Sequence, residues 1–131
     1  MKLPTLFTRF SINTGEVDPD LCTSSIGLQP TKVLKKGQER PAPRPTVLDN
    51  RWDIETSRRQ IYSIDESLIE LLKVIWPKRD RIISFCRENN VDCSFVTAVW
   101  ASEEHRPVYD LSRDTIKKIA ALGASWIMDA L

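Results

Sequence analysis

SIDESLIELLKVIWPKRDRIISFCREN, residues 63–89, is the stretch around which the rest of the chain is arranged. Ser63-Ile64-Asp65-Glu66 forms a capping box. The Ser63 hydroxyl can accept from the amide of Glu66, and the Glu66 carboxylate can reach back to the amide of Ser63. Asp65 and Glu66 also lie where the helix dipole favours negative charge. Leu68, Ile69, Leu71, Leu72, Ile75 and Trp76 follow as a broad apolar stripe at helical spacing. Pro77 has no amide to donate and biases Trp76 away from helical geometry. Two helical pieces, 64–76 and 78–89, are therefore expected. The second carries Ile82, Ile83, Phe85 and Cys86, and ends at Asn89-Asn90, where asparagine tolerates left-handed backbone. A stripe this wide needs a sheet or other helices to cover it.

Outward from this centre, Leu6–Ile12 alternates apolar and polar residues and reads as a half-buried strand, with Leu6 breaking the phase. Asp18-Pro19-Asp20 is a helix start, and Gly27 its left-handed end. Thr31–Leu34 reads as a short strand and Trp52–Glu55 as another, with Trp52 and Ile54 on one face. Cys93–Trp100, rich in β-branched and aromatic residues, is the strongest strand and is expected to lie centrally. Glu103-Glu104-His105-Arg106 reads as a hairpin loop and Val108–Leu111 as its return strand. Ser112 caps a last helix that Gly123 stops, and Ser125–Leu131 closes the chain as a strand.

The order strand, capped helix, glycine stop, strand occurs twice, at 6–34 and at 93–130. Two such βαβ-like units around a longer helix give an α+β fold. The expected form is a ferredoxin-like sandwich, with a mixed, mostly antiparallel sheet and helices on one face. With 131 residues, 41% of them hydrophobic, the chain has the size of one domain with a real core.

Several short motifs recur in one recognisable combination. They are Asp18-Pro19-Asp20, Gly27-Leu28-Gln29-Pro30-Thr31, Lys36-Gly37, Trp52, Leu68–Leu72 and Leu122-Gly123-Ala124. Together they resemble an uncharacterised bacterial domain-of-unknown-function family of about this length. The resemblance runs over nearly the whole chain and implies the same α+β fold, with no established activity. Some small stand-alone proteins of this general kind look like immunity proteins that block a toxin.

The formal net charge is +1, so the whole molecule offers no bulk attraction for nucleic acid or anionic membrane. Locally, residues 32–59 hold eight bases (Lys32, Lys35, Lys36, Arg40, Arg44, Arg51, Arg58 and Arg59) against four acids. Inside that stretch lies a basic loop at 37–51, where Pro41, Pro43 and Pro45 favour an extended, polyproline-like path. Arginine suits bidentate contacts to carboxylates.

No catalytic set emerges. His105 is the one histidine, so a Cys-His or Ser-His-Asp mechanism would have to use it, and its charged turn reads as solvated. Cys22, Cys86 and Cys93 match no zinc spacing and read as reduced core thiols. Trp52, Trp76, Trp100 and Trp126 read as packing residues, and the four glycines form no phosphate-cradling loop. No metal or cofactor is expected.

The function these features suggest is that of a cytoplasmic, non-enzymatic protein-binding protein. It would act as an immunity protein, occluding the active site of a cognate bacterial toxin. The expected contact residues are Arg40, Arg44 and Arg51 in the loop, with Glu103, Glu104, His105 and Arg106 in the hairpin. The alternative is a small-ligand regulatory module in which the sheet and a tryptophan line a pocket, and after it an enzyme built on His105. Neither a nucleic-acid nor a membrane partner is expected.

Overall fold

Three of the helices start on a side-chain cap supplied by their own sequence. A computed structural model describes residues 3–131. Strand β1 (Thr5–Gly15) leads into helix α1 (Pro19–Ile26), where the Asp18 carboxylate accepts from the amide of Asp20 at 3.0 Å and Gly27 closes the helix at φ +82°. Strands β2 (Lys32–Leu34), β3 (Asn50–Glu55) and the two-residue β4 (Arg59–Gln60) follow. Helix α2 (Ile64–Ile75) opens on the Ser63 hydroxyl, which accepts from the Glu66 amide at 3.0 Å. Helix α3 (Arg79–Asn89) ends on Asn90, left-handed at φ 52°. Strand β5 (Cys93–Trp100), helix α4 (Arg113–Ala121), capped by Ser112, and strand β6 (Ser125–Ala130) complete the chain.

The break at Pro77 falls one residue later than expected. Trp76 keeps helical geometry (φ −59°, ψ −39°), and a short 3-10 turn over Trp76–Lys78 joins the two helices. The departure from helix comes at Lys78 (φ −106°, ψ 14°). A proline is tolerated in a first turn, where its missing amide has no partner to lose.

The strands form one mixed sheet in the order β2-β3-β1-β5-β6, with β4 also paired to β1. Every neighbouring pair is antiparallel except β5 and β6. The first four strands on that path have the ferredoxin-like order, in which β3 separates the parallel strands β1 and β2. In the second βαβ unit β5 and β6 pair directly, extending the sheet by one strand.

The expected return strand at Val108–Leu111 does not form. β5 already pairs with β1 on one side and β6 on the other, so it has no free edge to offer. The segment runs instead beside the start of α2. There the Val108 amide donates to the Tyr62 carbonyl at 2.7 Å, and the Ser112 amide to Asp65 Oδ1 at 3.1 Å.

All four helices pack on one side of the sheet. Leu6, Phe10 and Ile12 of β1, Trp52 and Ile54 of β3, and Phe95 and Val99 of β5 meet Leu68, Leu71, Leu72, Ile75, Ile82 and Phe85 in one core. Leu6 is thus in phase with Phe10 and Ile12, and the alternation is broken by Phe7, which lies on the opposite face, and by Thr8, a polar residue on the buried one. A buried polar chain crosses this interface. Thr8 Oγ1 bonds Ser67 Oγ at 2.8 Å and Thr97 Oγ1 at 3.2 Å, and Trp126 Nε1 donates to the same Thr97 oxygen at 3.0 Å. It satisfies polar groups that would otherwise be costly to bury.

The three thiols border this core. Burial pushes Cys22 up to about 12. The hydrogen bond between Cys86 and Cys93 draws Cys86 down and, with burial adding to it, pushes Cys93 up. Among the described residues no helix is long and apolar enough to cross a membrane, and no group of three His, Cys, Asp or Glu side chains could hold a metal ion.

Candidate functional site on the uncovered sheet face

A strand sends alternate side chains to opposite faces, so filling the helix side determines what the other side shows. Cross-strand register places Phe7, Arg9, Ser11 and Asn13 of β1 beside Glu55, Asp53 and Arg51 of β3, and beside Trp100, Ala98, Val96 and Ser94 of β5. Lys32 of β2 joins them opposite Asp53. Among the described residues no helix packs on this face.

Its centre holds a buried carboxylate. Asp53 accepts from Ser11 Oγ at 2.6 Å and from Arg51 Nε at 3.0 Å, and its side chain is 1% exposed. A buried charge needs such partners. Arg51, expected at a partner surface, is therefore engaged inside the sheet.

Next to it lies a polar depression of about 240 Å³ lined by Phe7, Arg9, Lys32, Arg44, Glu55, Thr56 and Arg58. Four cations face one carboxylate. Among the described residues none of Arg9, Lys32, Arg44 or Arg58 forms an ion pair. Glu55 sits opposite Arg9 in the strand register, yet the two do not close a salt bridge. Arg9 Nε is buried with no hydrogen-bond acceptor, and leaving such a donor unmade costs about 1–3 kcal/mol. At the rim, the Arg58 guanidinium lies 4.4 Å from the Trp100 ring centre and 5.6 Å from that of Phe7, and the two rings are 5.8 Å apart. Trp100 is thus the tryptophan that departs from the expected core role.

The loop at 37–51 reaches this face in an unexpected conformation. It is not extended: the Arg44 amide donates to the Pro41 carbonyl at 3.1 Å, making a turn of Pro41–Arg44. Reciprocal bonds tie the loop together, from Gly37 N to Val47 O at 2.8 Å and from Val47 N to Gln38 O at 3.0 Å, and Val47 is 5% exposed. Arg40 is used within the loop, its Nε donating to the Pro45 carbonyl at 3.0 Å. Of the three loop arginines singled out from sequence, Arg44 alone lines the depression.

None of the other expected cluster, Glu103, Glu104, His105 and Arg106, lines this depression. Ser102 and His105 form a single bridge around the turn, with the His105 amide donating to the Ser102 carbonyl at 3.2 Å. Glu103, Glu104 and Arg106 are exposed. His105 is half-buried, not solvated, and its Nδ1 is covered without a partner. This turn follows Trp100, which pairs with Thr5, whereas the loop enters β3 at Asn50, opposite Gly15.

Arg9 escaped the sequence reading, while Lys32 and Arg58 were counted only as part of a basic stretch. The signal for Arg9 was its position in Leu6–Ile12: a cation one residue out of phase with Phe10 must face away from the core.

No curated protein and no solved structure matches this chain. One family model does, over residues 4–130, nearly the whole molecule including both βαβ units and the loop between them. The chain belongs to the family described as Domain of unknown function (DUF4279).

Proposed function

We propose that this is a non-enzymatic protein-binding protein that docks an acidic partner on its uncovered sheet face. The supporting observation is the convergence of unpaired cations from the sheet and the loop beside the aromatic rim of Phe7 and Trp100. Aromatic and arginine anchors in a polar surround are the side chains that carry interface energy. The loop is held by its own hydrogen bonds, which lowers the entropy lost when a partner orders it. A net charge of +1 makes the attraction local and favours a protein carrying an acidic patch over nucleic acid. The specific form of this reading is an immunity protein that neutralises a toxin by covering its active site. Co-expression with the product of the adjacent gene tests it. A complex that protects cells supports the reading; a neighbour that neither binds nor is toxic alone removes the immunity assignment.

A second reading rests on a different feature. Ile69, Leu72, Trp76, Pro77 and Thr115, together with Lys73, Asp114 and Lys118, line a largely apolar cleft of about 330 Å³ between α2 and α4. A small apolar ligand there would make this a regulatory module, and Trp76 fluorescence against a metabolite panel would report it.

A further inference from the structure

The depression on the open face has a definite chemistry beyond general stickiness. We infer that it is a carboxylate pocket, with Arg9 as its floor, that receives an acidic side chain from a Glu- or Asp-rich segment of the partner; this rests on the protein-binding reading above.

Three observations carry it. First, the charges are unbalanced within the pocket: Arg9, Lys32, Arg44 and Arg58 face Glu55 alone, and none is neutralised by an ion pair among the described residues. The cations that do pair with a carboxylate among the described residues, Lys35, Lys36, Arg51, Arg59 and Lys118, all lie outside the depression. Second, Arg9 presents a buried Nε–H with no acceptor. Buried donors are almost always satisfied, and for an unfilled guanidinium donor in the lining of a cationic depression an oxyanion is the chemically matched acceptor. Third, the neighbouring carboxylates do not fill that role. Asp53 is saturated by Ser11 and Arg51, and Glu55 stays beyond ion-pair distance of Arg9 despite lying opposite it in register.

The cations come from four separate segments: β1, β2, the loop, and the link before β4. Their convergence is thus a product of the fold and not of a local charge run. Arg58 stacks on Trp100, which holds its guanidinium at the pocket mouth without consuming its N–H donors. A partner carboxylate would meet the Arg9 guanidinium where it lines the depression, with Lys32 and Arg44 supplying longer-range attraction and Glu55 repelling a second, misplaced anion.

The experiment uses the full chain labelled with ¹⁵N. The Arg9 Nε–H resonance is followed while a capped Glu-rich peptide is added, with inorganic phosphate and a Lys-rich peptide as separate arms. The expected result is a saturable shift with the Glu-rich peptide, weakened tenfold or more in Arg9→Gln and about threefold in Lys32→Gln or Arg44→Gln. Lys32 and Arg44 are exposed, so those variants report even where Arg9→Gln folds poorly. No saturable shift in the wild type, or unchanged affinity in Lys32→Gln and Arg44→Gln, overturns the pocket. Tighter binding of phosphate than of the Glu-rich peptide overturns the carboxylate assignment in favour of a small phosphate. A protein partner that binds wild type and the three variants equally leaves the docking reading standing and removes the pocket. Peptide binding with no protein partner from the adjacent gene does the reverse to the immunity assignment.

Discussion

The two faces of the sheet use the same strands for opposite ends. On the helix side, Phe10 and Phe95 lie 5.0 Å apart and both are fully buried beneath α2 and α3. On the other side, three residues back along β1, Phe7 is half-buried and stacks with Trp100 and Arg58 in the open. Polar groups on the helix side are closed into a chain through Ser67, Thr8, Thr97 and Trp126, whereas the open side leaves Arg9 with an unmade bond. The contrast teaches where this protein carries stability and where it keeps chemistry available.

Substitution in the core would show the contrast most strongly. Phe10→Ala removes a fully buried ring and is expected to cost about 3–5 kcal/mol in denaturant unfolding. A loss under 1 kcal/mol would mean that the helix side is not the stabilising one. Next in size is the exception on the open face. Asp53→Ala leaves the Ser11 hydroxyl and the Arg51 guanidinium without their shared acceptor, and a loss of about 1.5–3 kcal/mol is expected. If Asp53→Ala is neutral, the open face contributes nothing to folding.

Alkaline pH tests the covered side by another route. Cys22 is held protonated by burial, with its folded value near 12 against an ordinary 9.0. A thiol raised on folding favours the native state fully below pH 9.0. That contribution is lost as pH rises towards 12, because the unfolded chain releases its proton first. Unfolding midpoints should fall over that window and fall less steeply in Cys22→Ala, where Cys93 remains the one raised thiol; identical slopes in the two proteins would refute the burial argument.

The smallest effect on stability comes from the rim. Arg58→Ala should cost only about 0.5–1 kcal/mol, the size of an exposed cation–π contact. The same change should markedly weaken acidic-peptide binding. Equal, small effects on both would erase the distinction between the faces.

Much of the molecule was legible locally. The Ser63, Asp18 and Ser112 caps, the left-handed Gly27 and Asn90 ends and the whole of Cys93–Trp100 were read from neighbours in the chain. Where reading failed, a non-local competitor had won. The Val108–Leu111 strand was lost because β6 took the edge of β5. The polyproline path was lost to a turn anchored by Val47. Of the candidate site, Arg44 was singled out and Lys32 and Arg58 fell within the basic stretch, but Arg9 was missed. It belongs to a strand in which the break of alternation was read at Leu6, when Phe7 and Thr8 are the residues out of step.

The amino-acid order alone determined where the capped helices begin, the left-handed ends at Gly27 and Asn90, and the extended course of Cys93–Trp100. Those outcomes depend on hydrogen bonds and steric limits spanning three or four residues. Tertiary structure decided which strands became neighbours, and hence that Arg9, Lys32, Arg44 and Arg58 share one depression. Side chains alternate with a period of two, so a single residue of phase sends a cation to the core or to the open face, and pairing across β1, β2 and β3 settled which.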